Sequence, residues 1–382
     1  MIYADYNGSA PLLPAVREYV KKRMDSDLFA NPNAIHTLGQ KLTKGIENCR
    51  RIIAKSVGCH PDQIIFNSGA SEGLSQIMFS VLADLPAGKN TILMSPVEHA
   101  VLPAGVKHFI ESSKLTLKMI DIDQSGKVSL ESLKSLVNEK VGAVIVMAAN
   151  NETGVIQPFQ EIAKICRTQN IPYICDTTQF IGKAHFNFEE SGVDYAVCSG
   201  HKVGALTGCG FLIARDPRIL KPIVFGKSQE TGLRGGTQHY LGIETMAIAM
   251  DEFSRNESKL SQLREARLNF EKTLKEKFSE VVVIGDQSER LAGTTLIGYP
   301  GIHGQAVQIE LESNDIFVTT SAACADNQPE TSEVLKSMGV DDKLGRSVVR
   351  ISLSYSHGEK EYSILAQNLI AAYNKLMKIQ SF

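Results

Sequence analysis

The chain alternates short apolar runs with longer segments in which apolar residues recur at helical spacing. Such alternation predicts an α/β fold with a mostly parallel sheet and helices on both faces. The apolar runs predict strands within 64–71, 91–96, 116–122, 141–149, 173–179, 194–200 and 210–214. The helical periods predict helices at 36–58, 72–85, 130–138 and 160–170.

The pattern changes beyond residue 245. Residues 246–278 are charged, amphipathic and free of proline and glycine, which predicts one long helix bridging two domains. Shorter strands at 281–285, 294–298, 316–320 and 348–354 follow, with helices at 305–313 and 359–378. We therefore predict a large α/β domain over 11–250 and a small α+β domain formed by 1–10 and 251–382.

Composition narrows the classes of function. The 382 residues are 43% hydrophobic and 21% charged with a net charge of −2, as in a soluble globular protein with neither nucleic acid nor membrane as its partner. No apolar run has membrane-spanning length, and no secretory signal opens the chain. Seven cysteines without zinc-site spacing fit a cytoplasmic protein and argue against a structural metal.

Three polar sites follow different predicted strands, at the edge where such sheets bind ligands. Gly69–Glu72 forms a small-residue turn before a helix, which suits either an anion or an ordinary helix cap. Asp176 could bind a cation or cap a turn, and Gln179 follows it closely. Lys202 ends a buried strand, where its charge needs a carboxylate partner or a chemical use. Together, a phosphate turn, an aspartate and a lysine match the needs of pyridoxal phosphate (PLP).

Ordered motifs across nearly the whole chain resemble the cysteine desulfurases, which are fold type I, class V aminotransferase-like PLP enzymes. They are G-A-S-E (69–72), E-H (98–99), N-N-E-T-G (150–154), D-T-T-Q (176–179), S-G-H-K (199–202), R-G-G-T (234–237), S-A-A-C (321–324) and R-I-S-L (350–353).

The resemblance implies a role for each motif residue. Lys202 would bind PLP as a Schiff base, and Asp176 would keep the pyridine nitrogen protonated. Gln179 would hydrogen-bond the phenolic oxygen. His99 would stack on the ring and carry protons to the substrate thiol; without the family, a core histidine is the simpler interpretation. The resemblance also implies a contact with the phosphate for Ala70, Ser71, Ser199 and His201, and Thr237 would contact the phosphate of a second subunit in a homodimer. Asn151 would contact the cofactor and the substrate carboxylate, and Arg350 would contact the same carboxylate.

Cys324 lies among small and polar residues, 318-VTTSAACADNQPETSEVL-335, which is typical of a loop and not of a core strand. The resemblance makes Cys324 the nucleophile that takes sulfur from L-cysteine as a persulfide and passes it to an acceptor protein, as in iron–sulfur cluster assembly.

The chain departs from the family pattern in places. Gly204–Gly208, Lys227-Ser228, Ser321-Ala322, Ser354 and the opening Asp5–Ala10 all differ from the usual motifs, and the long C-terminal tail that engages the iron–sulfur scaffold is missing. These differences keep alternatives open. The alternatives are a selenocysteine lyase or aminotransferase of the same fold, a non-catalytic paralogue that acts as a binding partner, and, more distantly, a nucleotide-binding α/β protein.

Overall fold

A computed structural model describes residues 1–113, 115–320 and 330–380. Its strands are β1 (Ile2–Tyr3), β2 (Ile64–Asn67), β3 (Thr91–Met94), β4 (Thr116–Met119), β5 (Val141–Ile145), β6 (Tyr173–Ile174), β7 (Tyr195–Ser199), β8 (Gly210–Ala214), β9 (Val282–Val283), β10 (Thr294–Gly298), β11 (Ile316–Phe317) and β12 (Val348–Ser352). Its α-helices are α1 (Pro14–Met24), α2 (Thr37–Val57), α3 (Ala70–Leu82), α4 (Val101–Ser113), α5 (Leu130–Leu136), α6 (Phe159–Thr168), α7 (Phe188–Ser191), α8 (Tyr240–Asn256), α9 (Leu260–Lys277), α10 (Gly304–Glu312), α11 (Glu333–Ser337), α12 (Asp342–Gly345) and α13 (Glu359–Gln380).

The central sheet has seven strands in the order β2-β8-β7-β6-β5-β3-β4. Its pairs are parallel from β7 to β4, whereas β8 runs antiparallel to both β2 and β7. The prediction of a mostly parallel sheet flanked by helices is confirmed. Because β6 and β7 are parallel neighbours, the residues that follow them meet at one edge of the sheet.

The inner strands are buried along their whole length, as continuous apolar runs require when helices cover both faces. Two hydrophobic clusters pack on the sheet, one with α2, α6 and α8 and the other with α3 and α4. A separate cluster unites α9, α10 and α13 with β10 and β12. The core thus has a large and a small part, while the domain limits at residues 10 and 250 stay a prediction.

The prediction of one helix over 246–278 is wrong. The helix α8 ends at Asn256, a 3-10 turn spans Glu257–Lys259, and α9 begins at Leu260. The Asn256 side chain donates to the carbonyl oxygen of Glu252 at 2.8 Å. An asparagine side chain competes in this way with the backbone for hydrogen bonds within the helix, and it therefore favours helix ends. In a sequence it indicates a helix end less strongly than glycine or proline does.

Helix α4 was not predicted, because it contains Pro103 and Gly105. Proline is tolerated there because it lies in the first turn, where its missing N–H has no helical acceptor. The added helix matters for the site, since it begins two residues after His99. Among the described residues, no helix has the length and apolar character needed to cross a membrane.

Candidate active site

Lys202 follows β7 in a single 3-10 turn, Gly200–Lys202. Its Nζ donates to the carbonyl oxygens of Asn7 at 2.7 Å and Gly8 at 2.6 Å. A Cβ on Gly200 would lie 2.6 Å from the Sγ of Cys209, so this turn requires glycine. The N-terminal segment therefore holds the lysine amine at the edge of the sheet.

Asp176 and Gln179 follow the neighbouring strand β6. Asp176 is buried, and its Oδ1 accepts from the backbone N–H of Thr178 at 2.9 Å. Thr177 fastens the segment to β7 through two hydrogen bonds with the backbone of Val197, at 2.7 and 2.9 Å. Gln179 is also buried and donates from Nε2 to the carbonyl oxygen of Asn7 at 3.0 Å. Asn7 thus joins Lys202 and Gln179, as their positions after adjacent strands predict.

The turn before α3 has the features of an anion site. Its N-cap residue, Gly69, has a φ of 153° and provides no side-chain cap for the first N–H groups of the helix. The N–H of Ala70 donates to the Oγ of Ser199 at 2.8 Å, and Ser71 is exposed in the same turn. The structure therefore brings Ala70, Ser71 and Ser199 together, as predicted.

These residues fit PLP. A helix N-terminus that has a glycine as its N-cap residue and hydroxyl groups beside it suits the phosphate. A buried carboxylate suits the ring nitrogen, and an amine at the end of the next strand suits the aldehyde. Lys202, Asp176, Gln179, Ala70, Ser71 and Ser199 would hold the cofactor.

His201 and Thr237 are less closely tied to this cluster. The Nδ1 of His201 lies 3.2 Å from the Oγ of Ser9, and burial, with Lys202 next, lowers the pKa of this histidine. Thr237 is exposed in the segment before α8. It stays a prediction that Thr237 contacts the phosphate of another subunit. The phosphate contact of His201 stays a prediction as well.

His99 is exposed just before α4, and its Nδ1 accepts from the N–H of Val101 at 3.4 Å. It is therefore not a core histidine. The adjacent Glu98 is buried; its Oε1 accepts from Met147 N–H at 2.8 Å, whereas its Oε2 has no partner among the described residues. Burial is the main cause that raises the pKa of Glu98 to about 8, and the charge of Asp176 adds to it. No role for Glu98 was predicted from the sequence.

Arg350 lies in β12 and is 5% exposed, which excludes a surface salt bridge. Its Nη1 donates to the carbonyl oxygen of Asn151 at 3.0 Å, and its Nη2 donates to the Oδ1 of Asp5 at 2.7 Å. Its Nε is buried without a partner in the described part of the chain. The structure brings Asn151 and Arg350 together as predicted, but Asp5 was missed.

Asn7 is the largest omission of the sequence analysis. It is 3% exposed and connects the two parts of the site. Besides the two bonds to its carbonyl oxygen, its N–H donates to Ser352 Oγ at 2.9 Å, its Nδ2 donates to Asn151 O and Thr294 Oγ1 at 3.1 Å each, and its Oδ1 accepts from Lys183 Nζ at 2.7 Å. Only its place in the opening motif, Tyr3–Ala10, could have indicated this.

Cys324 lies outside the described residues, as do Ser321 and Ala322. The described residues on either side of 321–329 both contact the site. Thr319 pairs with Arg350 through the backbone, and Ser332 Oγ donates to Glu152 Oε2 at 2.6 Å. Glu152 is buried, and this burial raises its pKa to about 7.

Comparison with known proteins agrees with this geometry. Residues 2–365 match the family described as Aminotransferase class-V. A protein named cysteine desulfurase IscS from Rickettsia prowazekii is 31% identical over 386 residues, covering 99% of this chain and 92% of that protein. Another of that name, from Dictyoglomus turgidum, is 30% identical and covers 100% and 96%. The chain therefore belongs to the class V aminotransferase family and, within it, to the cysteine desulfurases.

Solved structures give the same result. A structure titled NifS-like protein superposes with a TM-score of 0.90 at 30% identity, covering 98% of this chain and all of that one. Another, titled SspA in complex with cysteine, has a TM-score of 0.80 at 28% identity, covering 93% and 99%. Membership in this family removes the nucleotide-binding interpretation.

Proposed function

We propose that this protein is a PLP-dependent cysteine desulfurase that converts L-cysteine to L-alanine and holds the sulfur as a persulfide on Cys324. The observation that carries the proposal is the meeting of the Lys202 amine and the Gln179 amide on the carbonyl oxygen of Asn7, at 2.7 and 3.0 Å. Arg350 is linked to the same residue through the carbonyl oxygen of Asn151. The residues that would bind the cofactor and those that would bind an amino-acid carboxylate are thus connected through the buried Asn7.

The remaining cysteines favour Cys324 as the sulfur carrier. The six described cysteines are free, and five of them are buried. Burial raises the pKa of Cys49, Cys59, Cys166 and Cys209 to about 12, and it also raises the pKa of Cys175 and Cys198. Since the thiolate is the nucleophile, none of these six suits the role. Cys324 has small and polar neighbours in the sequence, as is typical of a reactive loop cysteine.

Different residues of the chain would carry out different steps of the reaction. Arg350 and Asn151 would bind the carboxylate of L-cysteine, and the freed amine of Lys202 would take the proton from its Cα. When bound, PLP supplies an electron sink for the charge left on Cα. Asp176 lies where it would keep the ring nitrogen protonated. Exposed above the strand ends, His99 would exchange a proton with the substrate thiol.

Cys324 would then attack the substrate sulfur as a thiolate. A sulfur–sulfur bond forms while the carbon–sulfur bond breaks, and the electron pair of the broken bond stays with the carbon fragment. Two protons complete L-alanine: the proton that His99 would have taken from the substrate thiol goes to Cβ, and the ammonium of Lys202 returns its proton to Cα. The persulfide sulfur passes to an acceptor protein.

The wider setting is also part of the proposal. The IscS names of the relatives support a role in iron–sulfur cluster assembly, with a scaffold or another sulfur carrier as acceptor. The exposed Thr237 and Phe225, which is 83% exposed in a nearby loop, support a homodimer that covers this surface. The free thiols support a reducing, cytoplasmic location.

Substrate comparison tests the proposal. The PLP-loaded protein should release one alanine and one sulfide per L-cysteine in the presence of a thiol reductant, and the persulfide should map to Cys324 by mass spectrometry. Equal turnover of L-selenocysteine without any persulfide would indicate a selenocysteine lyase. Transfer of an amino group to a 2-oxo acid would indicate an aminotransferase. Absence of turnover with every amino acid tested would indicate a non-catalytic paralogue.

A further inference from the structure

A salt bridge between Glu72 and Arg234 lies at the turn that we expect to hold the cofactor phosphate. The Nε of Arg234 donates to the Oε1 of Glu72 at 2.9 Å, and its Nη2 donates to Oε2 at 3.4 Å. The same Oε2 accepts from the backbone N–H of Ser68 at 2.9 Å. The carboxylate of Glu72 is therefore turned back toward the N-terminus of α3, where Gly69 is the N-cap residue.

A carboxylate at this helix end opposes the binding of a phosphate unless its charge is balanced. The N-terminus of a helix attracts anions through its N–H groups and its dipole, and two anions held there repel each other. Partial burial alone would raise the pKa of Glu72, but the hydrogen bonds from Arg234 and Ser68 lower it below its ordinary value. Glu72 therefore stays ionised, and the guanidinium of Arg234 balances its charge.

The segment that carries Arg234 is also held by bonds that do not involve its side chain. Gln76, which is buried on α3, donates from Nε2 to the carbonyl oxygen of Leu233 at 2.8 Å. The N–H of Gly235 donates to the carbonyl oxygen of Val224 at 2.8 Å. Since both residues next to Arg234 are fixed through the backbone, a substitution of its side chain removes the charge and leaves these anchors in place.

We propose that Arg234 is a positioning residue that neutralises Glu72 and thereby allows the N-terminus of α3 to bind the cofactor phosphate. The inference rests on the PLP binding of the proposed function and not on the identity of the amino-acid substrate. It assigns a role to two motif residues, in G-A-S-E (69–72) and R-G-G-T (234–237), for which the sequence predicted none.

The test compares the binding of PLP with that of pyridoxal, which has the same ring and aldehyde but no phosphate. The full-length, cofactor-free protein is titrated with each compound, and the absorbance of the bound form gives the two dissociation constants. Their ratio isolates the contribution of the phosphate, because both compounds react with the same lysine. The parent should bind PLP more tightly than pyridoxal.

Arg234→Met should reduce this preference for PLP by about tenfold, since it leaves the charge of Glu72 facing the phosphate. Its dissociation constant for pyridoxal should stay close to that of the parent. Arg234→Met combined with Glu72→Gln should restore the preference to within about twofold of the parent, because the opposing carboxylate is also gone. Arg234→Lys keeps the positive charge and should retain most of the preference.

The matched control is Arg218→Met, which removes an arginine that is 89% exposed and paired with Asp216, and it should change neither dissociation constant. An unchanged preference in Arg234→Met would overturn the inference alone. A double variant as weak as Arg234→Met would also overturn it, because the pair would then act only as a structural contact. A parent without any preference for PLP would contradict the proposed cofactor site as well. Since no amino acid is added, a wrong substrate assignment leaves the result unaffected.

Discussion

The Nη2 of Arg350 donates to the Oδ1 of Asp5 at 2.7 Å, so the residue predicted to bind the substrate carboxylate already holds a carboxylate of the chain. The Gly8 N–H donates to the same oxygen at 3.2 Å, and a Cβ on Gly8 would overlap the Asp5 carboxylate. Gly8 is one of the positions where the chain departs from the family pattern. Its missing side chain leaves the space that the Asp5 carboxylate occupies beside Arg350.

Asp5→Asn should lower the KM for L-cysteine by about fivefold, because two carboxylates about 4 Å apart repel by about 1 kcal/mol in water. Gly8→Ala should act in the same direction, since it pushes the Asp5 carboxylate away while keeping the N–H at position 8. Steady-state kinetics of both variants would measure this. A higher KM in Asp5→Asn, with kcat unchanged, would instead mean that Asp5 orients Arg350 for the substrate.

Glu98 predicts a dependence of stability on pH. Burial raises its pKa in the folded protein to about 8, so between about pH 4.5 and 8 the folded state binds more protons than the unfolded state. The contribution of Glu98 to the free energy of unfolding therefore falls as pH rises through this window, by at most about 1.4 kcal/mol per pH unit.

Glu98→Gln should remove this decline because it mimics the neutral acid. Chemical denaturation of the parent and the variant at pH 6 and pH 8 would measure it. The variant should gain stability relative to the parent at pH 8. Glu139→Gln, at an exposed position, is the control and should keep the decline. Parallel curves for the parent and Glu98→Gln would contradict the assignment.

The pair of Arg50 and Glu230 predicts a stability effect next to the site. The guanidinium of Arg50 binds both carboxylate oxygens of Glu230, at 2.8 and 2.9 Å, and its carbon lies 4.5 Å from the centroid of the Phe66 ring. Glu230 also accepts from the Phe66 N–H at 2.9 Å, and its own φ is 47°, in the left-handed region. The pair therefore fixes the strained segment that precedes Thr237.

Arg50→Met should lower the free energy of unfolding by about 3 kcal/mol or more, because it leaves the buried Glu230 carboxylate unpaired. Glu47→Gln is the matched control: Glu47 binds the same arginine but is half exposed, so its loss should cost about 1 kcal/mol at most. Urea denaturation would measure both. Equal losses would show that burial does not distinguish the two contacts.

Sequence pattern identified Lys202, Asp176 and Gln179 because each follows an apolar strand, and strand order alone brings such residues to one edge. Asn7, Asp5 and Lys183 were missed for the opposite reason. Asn7 lies 195 residues from Lys202 along the chain, and no local periodicity marks a segment that docks by hydrogen bonds. The break between α8 and α9 was missed because Asn256 ends a helix less visibly than glycine or proline.

The most direct test of the central claim is the alanine released from L-cysteine by the PLP-loaded protein with a thiol reductant, measured beside Cys324→Ala. The account predicts alanine from the parent and almost none from the variant, with PLP bound equally to both. Equal alanine from both proteins would contradict sulfur transfer through Cys324. Absence of alanine from either, with PLP bound, would contradict cysteine desulfuration itself.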